Sequence, residues 1–208
     1  MTTTTGQLFS GPVPATNQLP GAELEYRPRF YSNGQANQLM RLLQNRLVWR
    51  HEPIILFGKK VLQPRLTSWI ADKRITYKYS SIELMSAGWP GFLEPIRRAV
   101  ETTTAVGFNS MLANCYRDGQ DSMGWHADDE PELGANPLIA SISLGATRRF
   151  VMRRKTDHRQ KHELLLEHGS LLIMWGPTQH NWQHSIPKAR NIASPRINLT
   201  FRQIKNND

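Results

Sequence analysis

Two side chains with metal-binding chemistry stand one residue apart in the segment Gly124–Asp128, which reads Gly-Trp-His-Ala-Asp. If this segment is extended, His126 and Asp128 project to the same face, so an imidazole and a carboxylate can converge on one ion. His184, which follows a predicted strand, is a candidate third ligand. Two histidines and one carboxylate on a β scaffold form the facial triad that holds non-haem Fe(II) and leaves positions open for a co-substrate and O2.

The third ligand has an alternative candidate. His180, in Gln179-His180-Asn181, competes with His184, and we rank it lower because it lies nearer a turn. A His-x-Asp pair is a weak signal on its own, and a distant histidine strengthens it only slightly. The metal hypothesis therefore needs support from another part of the chain.

That support comes from a row of polar side chains in the segment Arg196–Arg202. In a strand, Arg196, Asn198, Thr200 and Arg202 alternate onto one face, while the apolar residues between them take the other face. A guanidinium group is well suited to binding a carboxylate through two hydrogen bonds. The row could also be the solvent-facing side of an edge strand. The metal pattern upstream favours the interpretation that it binds a dianion.

The overall charge indicates a class of partner. The chain has a formal net charge of +9 and a pI of about 10.1, which favours a polyanion such as nucleic acid, because Lys and Arg contacts release counterions from phosphates. A soluble, self-repelling surface is the alternative. A single cysteine, Cys115, excludes an intramolecular disulfide and suits a reducing compartment.

The elements that must position these residues are mostly strands. Residues 1–22 are rich in Thr, Gly and Pro and are predicted to form a flexible arm, followed by one domain over residues 23–208. Apolar spacing predicts helices over Gln35–Leu47 and Gly91–Val100, and a hairpin over Ile54–Leu62 with Gly58 at its turn. The predicted strands that follow are Met111–Tyr116, Leu138–Leu144, Arg149–Met152, Glu163–Leu166, Leu171–Trp175 and Ile197–Phe201. This pattern predicts a mainly β fold with flanking helices and a jelly-roll core over about residues 105–205.

Ordered motifs between Leu56 and Ile204 resemble the AlkB family of Fe(II)- and 2-oxoglutarate-dependent dioxygenases. They include Leu56-Phe57-Gly58-Lys59, Pro64-Arg65, Ile75-Thr76-Tyr77-Lys78-Tyr79-Ser80, Asn114-Cys115-Tyr116-Arg117-Asp118-Gly119, His126-Ala127-Asp128-Asp129-Glu130, Ile139-Ala140-Ser141-Ile142-Ser143-Leu144-Gly145-Ala146, His168-Gly169-Ser170-Leu171-Leu172 and Arg196–Arg202. The resemblance implies a double-stranded β-helix with a nucleotide-recognition lid formed by residues 23–104.

Residue by residue, the resemblance implies roles for three groups of side chains. It assigns iron to His126, Asp128 and His184. It assigns 2-oxoglutarate to Asn114, Tyr116, Arg196, Asn198 and Arg202. It assigns substrate contacts to Phe57, Arg65, Tyr79, Asp129 and Glu130. Tyr79 would stack on an extruded base, and Phe57 would fill the space that the base vacates. The basic segment 153–161 would hold the nucleic-acid backbone.

The activity implied is oxidative demethylation of bases such as 1-methyladenine and 3-methylcytosine in DNA, a direct repair reaction coupled to decarboxylation of 2-oxoglutarate by O2. Phe57 favours duplex DNA as the partner, and the same chemistry on RNA or single-stranded DNA is the nearest alternative. A non-catalytic metal-containing nucleic-acid-binding module and a dioxygenase of small molecules or proteins are the more distant ones. A closed structural zinc site would need a ligand set richer in cysteine.

Localisation and assembly are expectations from composition. The longest apolar runs are too short to span a bilayer, and the first residues lack the pattern of a secretory signal. We therefore expect a cytoplasmic protein, or a nuclear one if it is eukaryotic, that has no membrane contact and is a monomer.

Overall fold

The computed structural model describes residues 19–56, 58–73, 75–79 and 82–205, and among these it leaves out the side chains of 56, 76–79 and 82–85. Three α-helices are present in this part of the chain: α1 (Asn33–Arg46), α2 (Glu94–Thr104) and the short α3 (Thr178–Asn181). The strands are β1 (Glu23–Arg27), β2 (Pro53–Leu56), β3 (Lys59–Leu62), β4 (Leu66–Ala71), β5 (Thr76–Tyr79), β6 (Ile82–Met85), β7 (Ser110–Tyr116), β8 (Met123–His126), β9 (Ile139–Gly145), β10 (Arg148–Arg154), β11 (Lys161–Leu166), β12 (Ser170–Trp175), β13 (Trp182–Ile186) and β14 (Arg196–Arg202).

Two antiparallel sheets form the body of the fold. The larger has the order β1-β12-β9-β14-β7-β4, and the smaller has the order β11-β10-β13-β8. The remaining strands pair as two hairpins, β2–β3 and β5–β6. An apolar cluster that includes Leu24, Ile139, Phe150, Met174 and Ile186 draws its members from both sheets. Two facing antiparallel sheets of this kind confirm the predicted jelly-roll core.

Strand β14 shows how the sequence divides the large sheet into two faces. Ile197, Leu199 and Phe201 belong to the apolar cluster that also contains residues of α1 and α2. Arg196 and Arg202 alternate with them and line a cavity between the sheets. The predicted alternation is therefore confirmed, and β14 is a central strand paired on both sides, which excludes the edge-strand alternative.

The helices cover the outer face of the large sheet. Helix α1 begins after Ser32, whose hydroxyl accepts a hydrogen bond from the Gln35 backbone N–H while the Gln35 side chain bonds back to the Ser32 N–H. This reciprocal cap satisfies N–H groups that have no partner within the helix. Helix α2 ends at Ala105, which has a left-handed conformation with φ +55°. Both helices lie within about three residues of their predicted starts.

The large sheet extends beyond the predicted core over residues 105–205. Strand β1 pairs with β12 at one edge of the sheet, and β4 pairs with β7 at the other. The predicted start of the core near residue 105 is therefore corrected. The strands that pair with β1 and β4 lie far away in the sequence, and local apolar spacing cannot reveal such pairing. The hairpin with Gly58 at the turn is confirmed, with Gly58 at φ +75°.

Residues 19–22, which are part of the predicted arm, contact the domain. The Pro20 carbonyl accepts hydrogen bonds from Trp182 Nε1 at 3.2 Å and from Arg154 at 2.9 Å, and Asn181 donates to the Gly21 carbonyl at 2.9 Å. Residues 19–22 are therefore held against the domain, while residues 1–18 lie outside the described part of the chain. None of the described helices has the length and apolarity needed to cross a bilayer.

Candidate metal centre and anion corner

Three side chains converge between the two sheets as predicted. His126 ends β8, Asp128 follows it, and His184 lies on the paired strand β13, directly opposite His126 in the register. One potential ligand atom from each residue lies within 4.8 Å of the others. The imidazole ring centres are 4.2 Å apart, and His184 Nε2 lies 3.9 Å from Asp128 Oδ2. His180 is exposed in α3 and lies outside this group, so the geometry supports the predicted preference for His184.

The surroundings hold each ligand in one orientation. His126 Nδ1 lies 2.9 Å from the Gly124 carbonyl, which leaves its Nε2 for a metal. The Phe150 ring stacks on His184 with a centre-to-centre distance of 5.0 Å. The Asp128 backbone N–H donates to Gln179 Oε1 at 3.0 Å, and Arg202 donates to Asp128 Oδ1 at 2.5 Å.

The protonation states suit a divalent cation. Burial alone would raise the pKa of Asp128, but the charge of Arg202, followed by His184 and His126, lowers it to about 2. Burial, and after it repulsion by His126, lowers the pKa of His184 to about 3. At neutral pH Asp128 is therefore ionised and His184 is neutral, the forms in which these side chains bind metal.

The cavity ends in a group of residues that we call the anion corner: Arg196, Tyr116, Asn114 and Ser143. Arg196 is 1% exposed, and one of its terminal nitrogens donates a hydrogen bond to Ser143 Oγ at 2.9 Å. Its Nε and the second terminal nitrogen are buried without a hydrogen-bond partner. Burial lowers the pKa of Arg196 to about 10, so the group still carries its charge at neutral pH. A buried cation with donors to spare is costly unless an anion completes it.

The other four residues assigned to 2-oxoglutarate also line this cavity, which encloses about 80 Å³. Asn114 and Tyr116 share the inner face of β7, as predicted from their spacing. The Asn198 amide donates to Ser141 Oγ at 2.7 Å and to the Ile142 carbonyl at 3.0 Å, so the protein itself holds this side chain. Arg202 lines the cavity as well and donates a hydrogen bond to Asp128.

The residues assigned to substrate occupy different surroundings. Glu130 lines the cavity, and the exposed Asp129 forms an ion pair with Lys155 at 2.6 Å, which we call the outer pair. Arg65 is 3% exposed and donates to Asn114 Oδ1 at 2.7 Å, so it stands behind the anion corner and supports it. Its burial does not fit the predicted direct contact with a substrate.

The side chains of the two aromatic residues assigned to the extruded base and to the space that it vacates are outside the described part of the chain. Phe57 falls outside the described residues. The backbone of Tyr79 ends β5, and its side chain is outside the described part. Their roles stay predictions.

Sequence reasoning missed several residues that complete the site. Gln179 is fully buried beside Asp128, and no local pattern marks it, because its partner lies 51 residues away. Ser141 and Ser143 were seen only as part of a strand, although their alternation within β9 predicts that they share one face. That face lies beside Asn198 and Arg196 in the paired strand.

The donor set fits an Fe(II) ion and an organic dianion together. Two imidazoles and one carboxylate make the facial arrangement that leaves coordination positions open. The unpartnered donors of Arg196 suit a carboxylate within the same cavity.

Comparison with known proteins agrees with this donor set. Residues 23–202 match the 2OG-Fe(II) oxygenase superfamily. Over 185 residues the chain is 39% identical to alpha-ketoglutarate-dependent dioxygenase alkB homolog 3 of Mus musculus, covering 85% of this chain but 64% of that protein. It is 37% identical to DNA oxidative demethylase ALKBH2 of Mus musculus, covering 84% of this chain and 77% of that protein. The solved structure of OsALKBH1 superposes with a TM-score of 0.65 at 17% identity, covering 88% of this chain and 97% of that chain, and supports the same fold.

Proposed function

The chain belongs to the AlkB family within the 2OG-Fe(II) oxygenase superfamily, and on that premise we propose that it is a dioxygenase that removes alkyl groups from nucleic-acid bases by oxidation. The observation that carries the proposal is one cavity lined both by the triad and by a buried arginine with unpartnered donors. When bound, Fe(II) and 2-oxoglutarate supply the oxidation by O2, with succinate and CO2 as by-products.

The residues of the chain would bind the metal and the co-substrate and exclude water from the site. His126, Asp128 and His184 would hold the metal, and Arg202 would keep Asp128 ionised and oriented. Arg196 would bind one carboxylate of the co-substrate, by donating hydrogen bonds to it, in a corner closed to solvent. Such a dry, charged pocket strengthens each ionic contact and fixes the co-substrate in one position.

Nucleic acid is the proposed substrate class for two reasons. The net charge of +9 suits a polyanion, and a relative 37% identical to the chain is named a DNA oxidative demethylase. The lesions we propose are methyl groups on base-pairing nitrogens, as in 1-methyladenine and 3-methylcytosine in DNA. Duplex DNA is the preferred form, with single-stranded DNA and RNA as the alternatives.

The test is a panel of methylated oligonucleotides offered as duplex DNA, single-stranded DNA and RNA. With Fe(II), 2-oxoglutarate and O2 present, we expect mass loss of the methyl group, with the fastest rate on duplex DNA. Faster loss from RNA or single strands would replace duplex DNA as the substrate. No loss from any nucleic acid, with intact 2-oxoglutarate binding, would point to a small-molecule or protein substrate.

The duplex preference depends on Phe57 and has its own test. Phe57→Ala should slow repair of duplex DNA by about 1–3 kcal/mol in activation free energy, the range for removing one base-stacking aromatic. The rate on the same lesion in a single strand should stay close to wild type, because no stack is vacated there. A duplex-to-single-strand rate ratio equal to that of wild type, at matched salt, would remove this reason for preferring duplex DNA.

A further inference from the structure

A second buried arginine stands next to the anion corner and has no assigned role. Arg148 begins β10, is 1% exposed, and is the largest fully buried side chain together with Arg196. Its guanidinium donates to the carbonyls of Asp118 at 3.1 Å, Asp121 at 2.8 Å and Pro187 at 2.7 Å. A planar group with five N–H donors can serve three carbonyls at once, and an ammonium on a flexible stem cannot match that geometry.

The three carbonyls belong to two loops that border the site. One loop connects β7 to β8, the strand that ends with His126, and the other connects β13, which carries His184, to β14. The loops also bond directly, because Gly119 donates to the Ile192 carbonyl and accepts from the Ala189 N–H, both at 2.7 Å. Arg148 therefore fastens together the segments that lead into the metal ligands and into Arg196.

Tyr116 connects Arg148 to the cavity. The Arg148 guanidinium lies 5.5 Å from the centre of the Tyr116 ring, and the Arg196 guanidinium lies 5.2 Å from the same centre. Tyr116 and Arg196 line the cavity, whereas Arg148 is outside the lining formed by the described residues. Arg148 can therefore affect a bound co-substrate only without touching it, through the ring, through the loops that it holds and through its charge.

The charges favour this role over a purely structural one. Two guanidinium groups over one buried ring repel each other, and the Arg148 charge is one of the influences that lower the pKa of Arg196. A second cation does, however, raise the positive potential where a dicarboxylate would bind.

We propose that Arg148 is a positioning residue for the co-substrate dianion, acting through Tyr116 and the two loops without touching the ligand. This inference depends on the proposed function, since it takes 2-oxoglutarate as the dianion. Its loss should weaken co-substrate binding while leaving the metal triad able to bind a divalent ion.

The experiment is calorimetric titration of 2-oxoglutarate into Mn(II)-loaded protein, with the melting temperature recorded for each variant. Arg148→Lys keeps the charge but loses the planar fork, and we expect 2-oxoglutarate affinity to fall about 10- to 100-fold, as metal affinity does when the residues that support metal ligands are replaced. Mn(II) affinity should stay unchanged. Arg149→Lys is the matched control, because the neighbouring Arg149 is exposed and pairs with Glu163 on the outer face.

Two further measurements separate positioning from general stability. Methylguanidinium added to Arg148→Ala should restore part of the affinity for 2-oxoglutarate. In a Tyr116→Leu background, Arg148→Lys should cost much less affinity than in the wild type, because residues that act as a unit are not additive.

The outcomes distinguish the inference from the proposed function. Equal 2-oxoglutarate affinity for wild type and Arg148→Lys, or full additivity with Tyr116→Leu, would overturn the inference and leave the proposed function intact. Failure of the wild type to bind 2-oxoglutarate would overturn both. If Arg148→Lys does not fold, the rescue of Arg148→Ala by methylguanidinium decides, and an absence of rescue counts against the inference.

Discussion

At the metal end of the cavity the buried charges balance each other, whereas at the anion corner they do not. Asp128 is 3% exposed and pairs with Arg202 at 2.5 Å, so a negative and a positive group leave water together. Arg196 and Arg202 lie at opposite ends of β14. Arg196 pairs with no carboxylate among the described residues, and another cation, Arg148, lies nearby.

The difference indicates which end is complete without a ligand. A buried ion pair loses solvation but recovers part of it through mutual attraction and hydrogen bonds. A buried guanidinium without a carboxylate partner recovers less of its lost solvation free energy. A bound anion would supply the attraction that is missing. On this account the metal end is prepared by the protein, and the anion corner is completed by the co-substrate.

The largest expected effect follows from breaking the metal end. Asp128→Asn keeps the shape of the side chain but removes the only negative charge of the triad, so metal binding and demethylation should both fall to background. Metal affinity measured by titration, together with methyl loss, checks this. His180→Ala is the control and should retain wild-type metal affinity. Retained turnover in His184→Ala with loss in His180→Ala would show that the third ligand is the other histidine.

The second effect concerns the anion corner. Arg196→Ala should weaken 2-oxoglutarate binding by about 2–5 kcal/mol, the usual cost of removing one partner of a buried charged contact. Because the buried cation is itself costly in the unliganded protein, we expect the melting temperature without 2-oxoglutarate to stay level or rise. Arg98→Ala, at an exposed position of α2, is the control. Unchanged affinity for 2-oxoglutarate by calorimetry would contradict the account of this end.

A smaller effect is expected in the loop that Arg148 holds. A Cβ at Gly119 would stand 1.7 Å from the Ala189 carbonyl oxygen, so one of the two backbones must shift. Gly119→Ala should destabilise the protein by about 1–3 kcal/mol and weaken 2-oxoglutarate more than Mn(II). Gly34→Ala is the control, since nothing lies within 4 Å of its Cβ position. Thermal melts with equal stability for both variants would refute the close contact.

The smallest effect is expected at the outer pair. The side chains of Lys155 and Asp129 are 29% and 44% exposed, and exposed ion pairs contribute about 0.2–1 kcal/mol. Lys155→Met should therefore change the melting temperature little, and any change should vanish in high salt. Urea unfolding at low and high ionic strength measures this. A loss as large as that of Gly119→Ala would show that the pair is part of the core.

Much of the site follows from alternation, which is a local property of strands. The spacing of His126 and Asp128, of Asn114 and Tyr116, and the row along β14 each place side chains on one face without knowledge of the fold. The choice of His184 over His180 also follows locally, since one lies in a strand and the other in a short helix.

Other features depend on contacts that are distant in the sequence. Strand β1 pairs with β12, and Gln179 accepts a hydrogen bond from the Asp128 backbone N–H. Neither segment has a local sequence pattern that predicts its partner. The resemblance assigns Arg65 to substrate and gives Arg148 no role, and only the packing makes them buried supports of Asn114 and Tyr116. Burial of a charged residue is decided by the partners that surround it, which the local sequence does not contain.

The most direct test of the two-ended cavity is a crystal structure of the protein with Mn(II) and 2-oxoglutarate, analysed by anomalous scattering. We expect one manganese peak bounded by His126, Asp128 and His184, with a carboxylate of the co-substrate against the free donors of Arg196. A manganese peak at His180, or 2-oxoglutarate bound with both of its carboxylates away from Arg196, would contradict the two-ended cavity.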